Sequence, residues 1–109
     1  MIVREWRGYA EGAGVERYFR HVTEHVFPEL RKLPGHLAGF VLRRAVDGEV
    51  EFAVVTVWES MAAVEAFAGT DVGKAVVEPE ARAVLTRFDD FVTHYDVAHC
   101  DPFDLPGLG

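Results

Sequence analysis

HLAGFVLRRAVDGEVEFAVVTVW, residues 36–58, is the stretch that decides the fold. Two runs rich in β-branched and aromatic residues flank Asp47-Gly48, a dipeptide suited to a type I′ turn, so the stretch predicts a β-hairpin. Its second arm contains FAVVTVW, which is apolar at both alternations of side chain. A strand of that kind expects cover on both faces. One face calls for a helix layer and the other for a second sheet.

Upstream, IVREWRGY at residues 2–9 reads as a strand, ended by the breaker EGAG. From Val15 the apolar residues fall at 15, 18, 19, 22, 26, 30 and 33, a helical stripe closed by Pro34-Gly35. Pro28 lies inside it and offers no N–H to the carbonyl of Glu24, which predicts a kink. Downstream, Ser60 is placed to cap the helix MAAVEAFA, which Gly69 stops. Thr70 or Asp71 caps a further short helix, and Pro79 opens another, PEARAVLTRF. Residues 90–98, DFVTHYDVA, return to strand character.

The order β-α-β-β-α-β predicts an α+β fold, a ferredoxin-like sandwich with helices on one face of an antiparallel four-stranded sheet. The bare face exceeds what a monomer tolerates, so two copies are expected to pair sheet to sheet as a homodimer. One domain is expected over residues 1–99, followed by a Pro/Gly-rich tail, 100–109. Phe103, Leu105 and Leu108 give that tail a means of docking, but a loosely held terminus is the favoured reading.

At 109 residues, half of them hydrophobic, the chain can bury one core. Eighteen acidic residues oppose eleven basic ones, for a net charge of −7, which argues against nucleic acid and anionic membranes as partners. Cys100 stands alone, so no disulfide framework is expected. The N-terminus MIVREWRGYA is too charged for a signal peptide or a membrane span. A cytoplasmic protein is expected.

Two motifs invite chemistry. HVTEH, residues 21–25, has the spacing of an inverted zinc-protease motif and puts His21 and His25 on one helical face. A catalytic zinc needs a third protein ligand, and the other histidines (36, 94 and 99) lie on other elements, so boundary histidines and no metal are expected. Gly12-Ala13-Gly14 follows a strand and precedes a helix, but the third glycine of a dinucleotide loop is Arg17 here. Turn chemistry accounts for these glycines.

MIVREWRG, VVTVWESMAAVEAFAGTDVGKAVVEPEA and FVTHYDV together resemble the antibiotic biosynthesis monooxygenase family of dimeric α/β-barrels, over residues 1 to about 98. The resemblance implies oxygenation of phenolic, quinol-like or polyketide-like aromatics without a cofactor. Some relatives degrade haem, with an asparagine, a tryptophan and a histidine at positions that align with Arg7, Phe67 and Val77 here. Lacking that histidine, this chain is expected not to degrade haem.

A cofactor-free oxygenase deprotonates an electron-rich phenol or enol so that its anion can reduce dioxygen, which demands a base, a clamp for the anion and a dry aromatic pocket. His94, between Thr93 and Tyr95, is the candidate base, or else a hydrogen-bonded strand histidine. Arg4 and Trp6 share one parity of the first strand, opposite to Glu5, Arg7 and Tyr9. They offer a phenolate clamp and a stacking ring, unless Arg4 only pairs with an acid. Trp58, Phe67 and Phe40 are candidate pocket walls or plain core, with His21 and His25 as substrate contacts. The rival readings are a non-oxidative isomerase or cyclase and a non-catalytic module that binds small molecules.

Overall fold

The computed structural model describes residues 1–101, so Phe103, Leu105 and Leu108 lie outside the described residues. Strand β1 (Ile2–Ala10) leads into helix α1 (Gly14–His21), a π-helical turn (Val22–Val26) and helix α2 (Phe27–Leu30). The hairpin β2 (His36–Val46) and β3 (Glu49–Trp58) follows, then α3 (Met61–Ala68), α4 (Pro79–Val84), β4 (Arg87–Phe88) and β5 (Thr93–Asp96). The sheet runs β2-β3-β1-β4, with β5 also on β1, and every pairing between named strands is antiparallel. This is the ferredoxin-like α+β arrangement. No described helix is long and apolar enough to cross a membrane.

The hairpin forms as its dipeptide dictates: Asp47 and Gly48 both take positive φ, 49° and 82°, the two-residue requirement of a type I′ turn. Ser60 caps α3 by accepting from the Ala63 N–H. On β1 and β3 the even-numbered side chains face the helices. There Phe52, Trp58, Tyr18, Val22 and Val64 make the buried core. The odd-numbered side chains face away, joined by Phe40 and Leu42 of β2 and Tyr95 of β5, each about half exposed. Glu51 anchors a charged cluster on this same face, accepting from Arg44 at 3.1 and 3.2 Å and from the Tyr9 hydroxyl at 3.1 Å.

Four expected elements differ. The first helix takes up Pro28 through the π turn immediately before it, where the Phe27 N–H reaches back five residues to the Val22 carbonyl. That extra residue relieves the clash of a proline ring with the preceding turn. The expected helix after Thr70 is a turn closed by Lys74 N–H on the Asp71 carbonyl. The carbonyls of Val72 and Lys74, which a helix would use internally, accept instead from the Arg4 side chain. The helix from Pro79 stops at Val84, because Leu85 turns extended into the core and the Thr86 N–H pairs with Tyr9 O at 2.8 Å.

The end of that expected helix is instead strand β4, and the expected last strand, residues 90–98, shortens to β5, both on one edge of β1. Between them the chain bows out over Asp89–Val92, bridging Phe91 to Lys74. The bow places the Asp89 carbonyl 2.7 Å from the Trp6 indole N–H.

Candidate active site

A cavity of about 220 Å3 opens between the sheet and the helices. Its sheet side carries Arg4 and Trp6 from β1 with Val54 and Thr56 from β3; its helix side carries Tyr18, His21 and Phe67. Parity explains the sheet contribution, since these are the even-numbered residues of both strands. Spacing explains the other, because Tyr18, His21 and Val22 recur at one helical turn. The Trp6 indole closes over residue 8 of its own strand. That is possible because residue 8 is glycine: a Cβ there would stand 2.7 Å from the indole.

Arg4 is the unusual member. It is 5% exposed, and among the described residues no carboxylate pairs with it. Its Nη1 donates to the Val72 carbonyl at 2.7 Å and contacts His94 Nε2 at 3.0 Å, while Nη2 donates to the Lys74 carbonyl at 3.1 Å. A guanidinium has five N–H donors and no acceptor, so these contacts engage three and leave two. Burial without a counter-charge pushes the Arg4 pKa below its ordinary value. A buried charge left uncompensated is costly by several kcal/mol, and a ligand anion is the partner that would offset it.

His94 sits opposite Arg4 in the β1–β5 register. Because arginine only donates, Nε2 of His94 must accept, which leaves its proton on Nδ1 and the ring neutral. Burial first, and the Arg4 charge second, push its pKa below the ordinary value. The lone pair that would make His94 a base toward a ligand is thus occupied by Arg4.

His21 has the opposite situation. The residue lines the cavity, while its Nε2 is sealed from solvent with no hydrogen-bond partner among the described residues. Leaving such a nitrogen unsatisfied costs about 1–3 kcal/mol. The Nε2 of His36 is likewise unpartnered among the described residues, and that ring packs at 79° to Trp58, with centroids 5.1 Å apart. His21 has only the tilted rings of Tyr18 and His25, at 6.4 and 6.0 Å.

The aromatic wall has two layers. Phe67 faces the cavity with the Arg4 guanidinium carbon 5.7 Å from its centroid. Trp58 stacks behind it at 5.3 Å, fully buried, its indole N–H donated to Thr56 Oγ1 at 2.9 Å. Tyr18, also buried, has its hydroxyl pKa raised by burial, so it stays a neutral donor.

Of the residues singled out from sequence, the fold brings Arg4, Trp6, His21 and Phe67 to one cavity, with His94 and Trp58 supporting them. It does not bring His25, which is exposed on the helix surface. Nor does it bring Phe40, which pairs with Val55 and points to the opposite sheet face. The hairpin register held that signal: pairing Val46 with Glu49 places Phe40 opposite Val55, and Val55 is an odd number of residues from Trp58. Tyr18 was missed, although it lies one turn before His21 on the apolar stripe. The carbonyls of Val72 and Lys74 had no side-chain signal to be read. Among the described residues no three metal-ligating side chains come together.

The class defined so far is a ferredoxin-like protein with an aromatic cavity built around an unpaired cation. A family model for antibiotic biosynthesis monooxygenase matches residues 2–79, and the chain belongs to that family. Solved structures share the fold. A variant of SnoaB, a cofactor-independent oxygenase from Streptomyces nogalater, is similar at 20% identity and TM-score 0.62, covering 94% of this chain and 97% of that one. The heme-degrader MhuD from Mycobacterium tuberculosis is similar at 24% identity and TM-score 0.60, covering 94% and 100%. A conserved protein from Methanosarcina mazei is similar at 14% identity and TM-score 0.64, covering 86% and 89%. No curated protein sequence matches.

Proposed function

We propose that this protein is a cofactor-independent monooxygenase of an acidic aromatic molecule, a phenol, quinol or polyketide-like enol, and that it works as a homodimer. The observation that carries the reading is Arg4: a buried guanidinium that no carboxylate among the described residues pairs with, two donors unspent, lining one cavity with Trp6, Tyr18 and Phe67. A phenolate or enolate supplies the missing charge and a flat ring for the aromatic walls.

The chemistry asks little more of the protein. The bound anion gives one electron to dioxygen, and the substrate radical and superoxide combine at a ring carbon. The peroxide formed there takes up a proton. Where that carbon began as CH2, it becomes a carbonyl as the O–O bond breaks and one oxygen leaves as water. A dry cavity keeps the anion reactive, and the Arg4 charge holds it in place. Haem fits less well: Val77 stands where the resemblance places the histidine of haem-degrading relatives, and Arg4 is already tied to two carbonyls.

The dimer is supported by the uncovered sheet face, where Phe40, Leu42 and Tyr95 stand half exposed among smaller apolar residues. A second copy of the same face covers it isologously.

The test is oxygen uptake with a panel of hydroquinones and phenols in metal-free buffer. The reading expects uptake that Arg4→Met reduces at least about tenfold. Turnover that persists under argon would replace it with a proton-transfer enzyme, and tight binding without any turnover would replace it with a binding module.

A further inference from the structure

Two pieces of chain outside helix and strand complete the cavity wall. The strap between α3 and α4, residues 70–78, contributes Val76, Val77 and Glu78, and the bow at residues 89–92 contributes Val92. They are held differently. The bow is fixed at both ends: the Asp89 N–H donates to the Arg7 carbonyl at 2.9 Å, the Asp89 carbonyl accepts from Trp6, and β5 begins directly after Val92. No residue of the strap is buried. Its middle is tied to the bow by two backbone bonds of 2.8 Å, from the Ala75 N–H to the Asp90 carbonyl and from the Val92 N–H to the Gly73 carbonyl. The Arg4 side chain supplies the other two ties, to the Val72 and Lys74 carbonyls, and at the strap's end the Arg82 Nε donates to the Val77 carbonyl at 3.3 Å.

We infer that the strap is a lid whose closure is set by charge: an oxyanion held at Arg4 shuts it, and the same ring without the charge does not. The inference rests on the reading of Arg4 as an anion site. With the strap down and no anion present, the guanidinium is 5% exposed and has only neutral partners among the described residues in place of its water. Lifting the strap breaks the bonds to Val72 and Lys74 but readmits water to the cation, so the open state is populated more than for a segment that covers no charge. A bound oxyanion reverses the balance. It compensates the charge while the strap is down, and lifting the strap would let water weaken that ion pair. The anion therefore binds the closed state more tightly, and that difference is what shifts the equilibrium. A neutral ring has only its packing against the wall to favour closure.

The chain is built to let this segment move against a fixed frame. Gly69, where α3 ends, holds φ at 85°, and a Cβ on Gly73 would meet open space, so the strap carries a flexible joint before it and another within it. Pro79 opens α4 directly after it and stiffens the far end. On β1 the two same-parity residues of the cavity divide the wall between them: Trp6 fastens the bow and Arg4 fastens the strap. Both carbonyls that Arg4 holds belong to the main chain, so the sensitivity to charge resides in the guanidinium and not in any side chain of the strap.

The experiment is amide hydrogen exchange on the full chain, resolved by NMR at the Ala75 and Val92 N–H groups, with the β2–β3 hairpin amides as the control for global folding. It compares free protein with protein occupied by an ionised nitrophenol and by its O-methyl ether. The phenolate is expected to slow exchange at both strap amides at least about tenfold, and the ether much less. Arg4→Met is expected to speed exchange at both while the hairpin amides keep their protection. Gly73→Ala leaves Arg4 in place and stiffens the strap, and is expected to slow exchange in the free protein about two- to fivefold. Bound phenolate that leaves both amides unchanged, or an ether that slows them equally, would overturn the lid. Unchanged exchange in Arg4→Met would overturn it as well, since the bow alone would then hold the strap. A wild-type protein that binds no nitrophenolate in calorimetry would instead overturn the anion-site reading beneath it, so the two failures are distinct.

Discussion

Arg4 and His94 form a contact that works only while the imidazole is neutral, and this makes a pH prediction at the scale of single residues. Burial and the Arg4 charge lower the folded-state pKa of His94 below 6.5. As pH falls below that ordinary value, the unfolded chain takes up the proton before the folded chain does, so stability falls with pH. The contribution is present above about pH 6.5 and is lost as pH drops toward the folded pKa. Thermal melts between about pH 7 and 5 should therefore show a decline that His94→Gln reduces, because glutamine accepts from Arg4 without titrating. Part of the decline should remain, since His36 is shifted the same way by burial and by Arg31. A His94→Gln curve parallel to wild type would remove His94 from this account.

At the scale of elements, the parts that form as read are those set by neighbours in the chain. The hairpin follows from Asp47-Gly48, and α3 follows from Ser60 before an apolar run and Gly69 after it. Replacing Gly48 with valine, at φ 82°, should cost about 1–2 kcal/mol in a denaturant titration, because a branched side chain clashes in that conformation. A change within error would show that the turn adapts at no cost.

Apart from the π turn that Pro28 imposes locally, the departures depend on distant partners. The segment after Thr70 gives up helix because Arg4, 68 and 70 residues away, takes two of its carbonyls. The edge of β1 is interrupted between β4 and β5 where Asp89, 83 residues from Trp6, accepts the indole N–H, so the expected last strand starts only at Thr93. No local pattern encodes such contacts. The site was legible to the same degree: the shared parity of Arg4 and Trp6 was plain in VREW, while the side they face required the helices to be placed. His94 was visible as an imidazole but not as the acceptor of Arg4.

For the whole molecule, the proposed homodimer rests on the uncovered sheet face and the proposed chemistry on the cavity. Phe40 and Leu42 stand about half exposed on that face. Changing both to lysine should shift the protein from dimer to monomer in sedimentation velocity without unfolding it, because like charges would oppose each other across a two-fold interface. A double variant that still sediments as wild type would place the interface elsewhere. The account as a whole turns on the Arg4 charge being reserved for an anion. The most direct measurement is calorimetric titration of wild-type protein with an ionised phenol and with its O-methyl ether, which has the same rings and cannot carry the charge. The account predicts at least about tenfold tighter binding of the phenolate, some 1.4 kcal/mol; equal affinity for the two would contradict it.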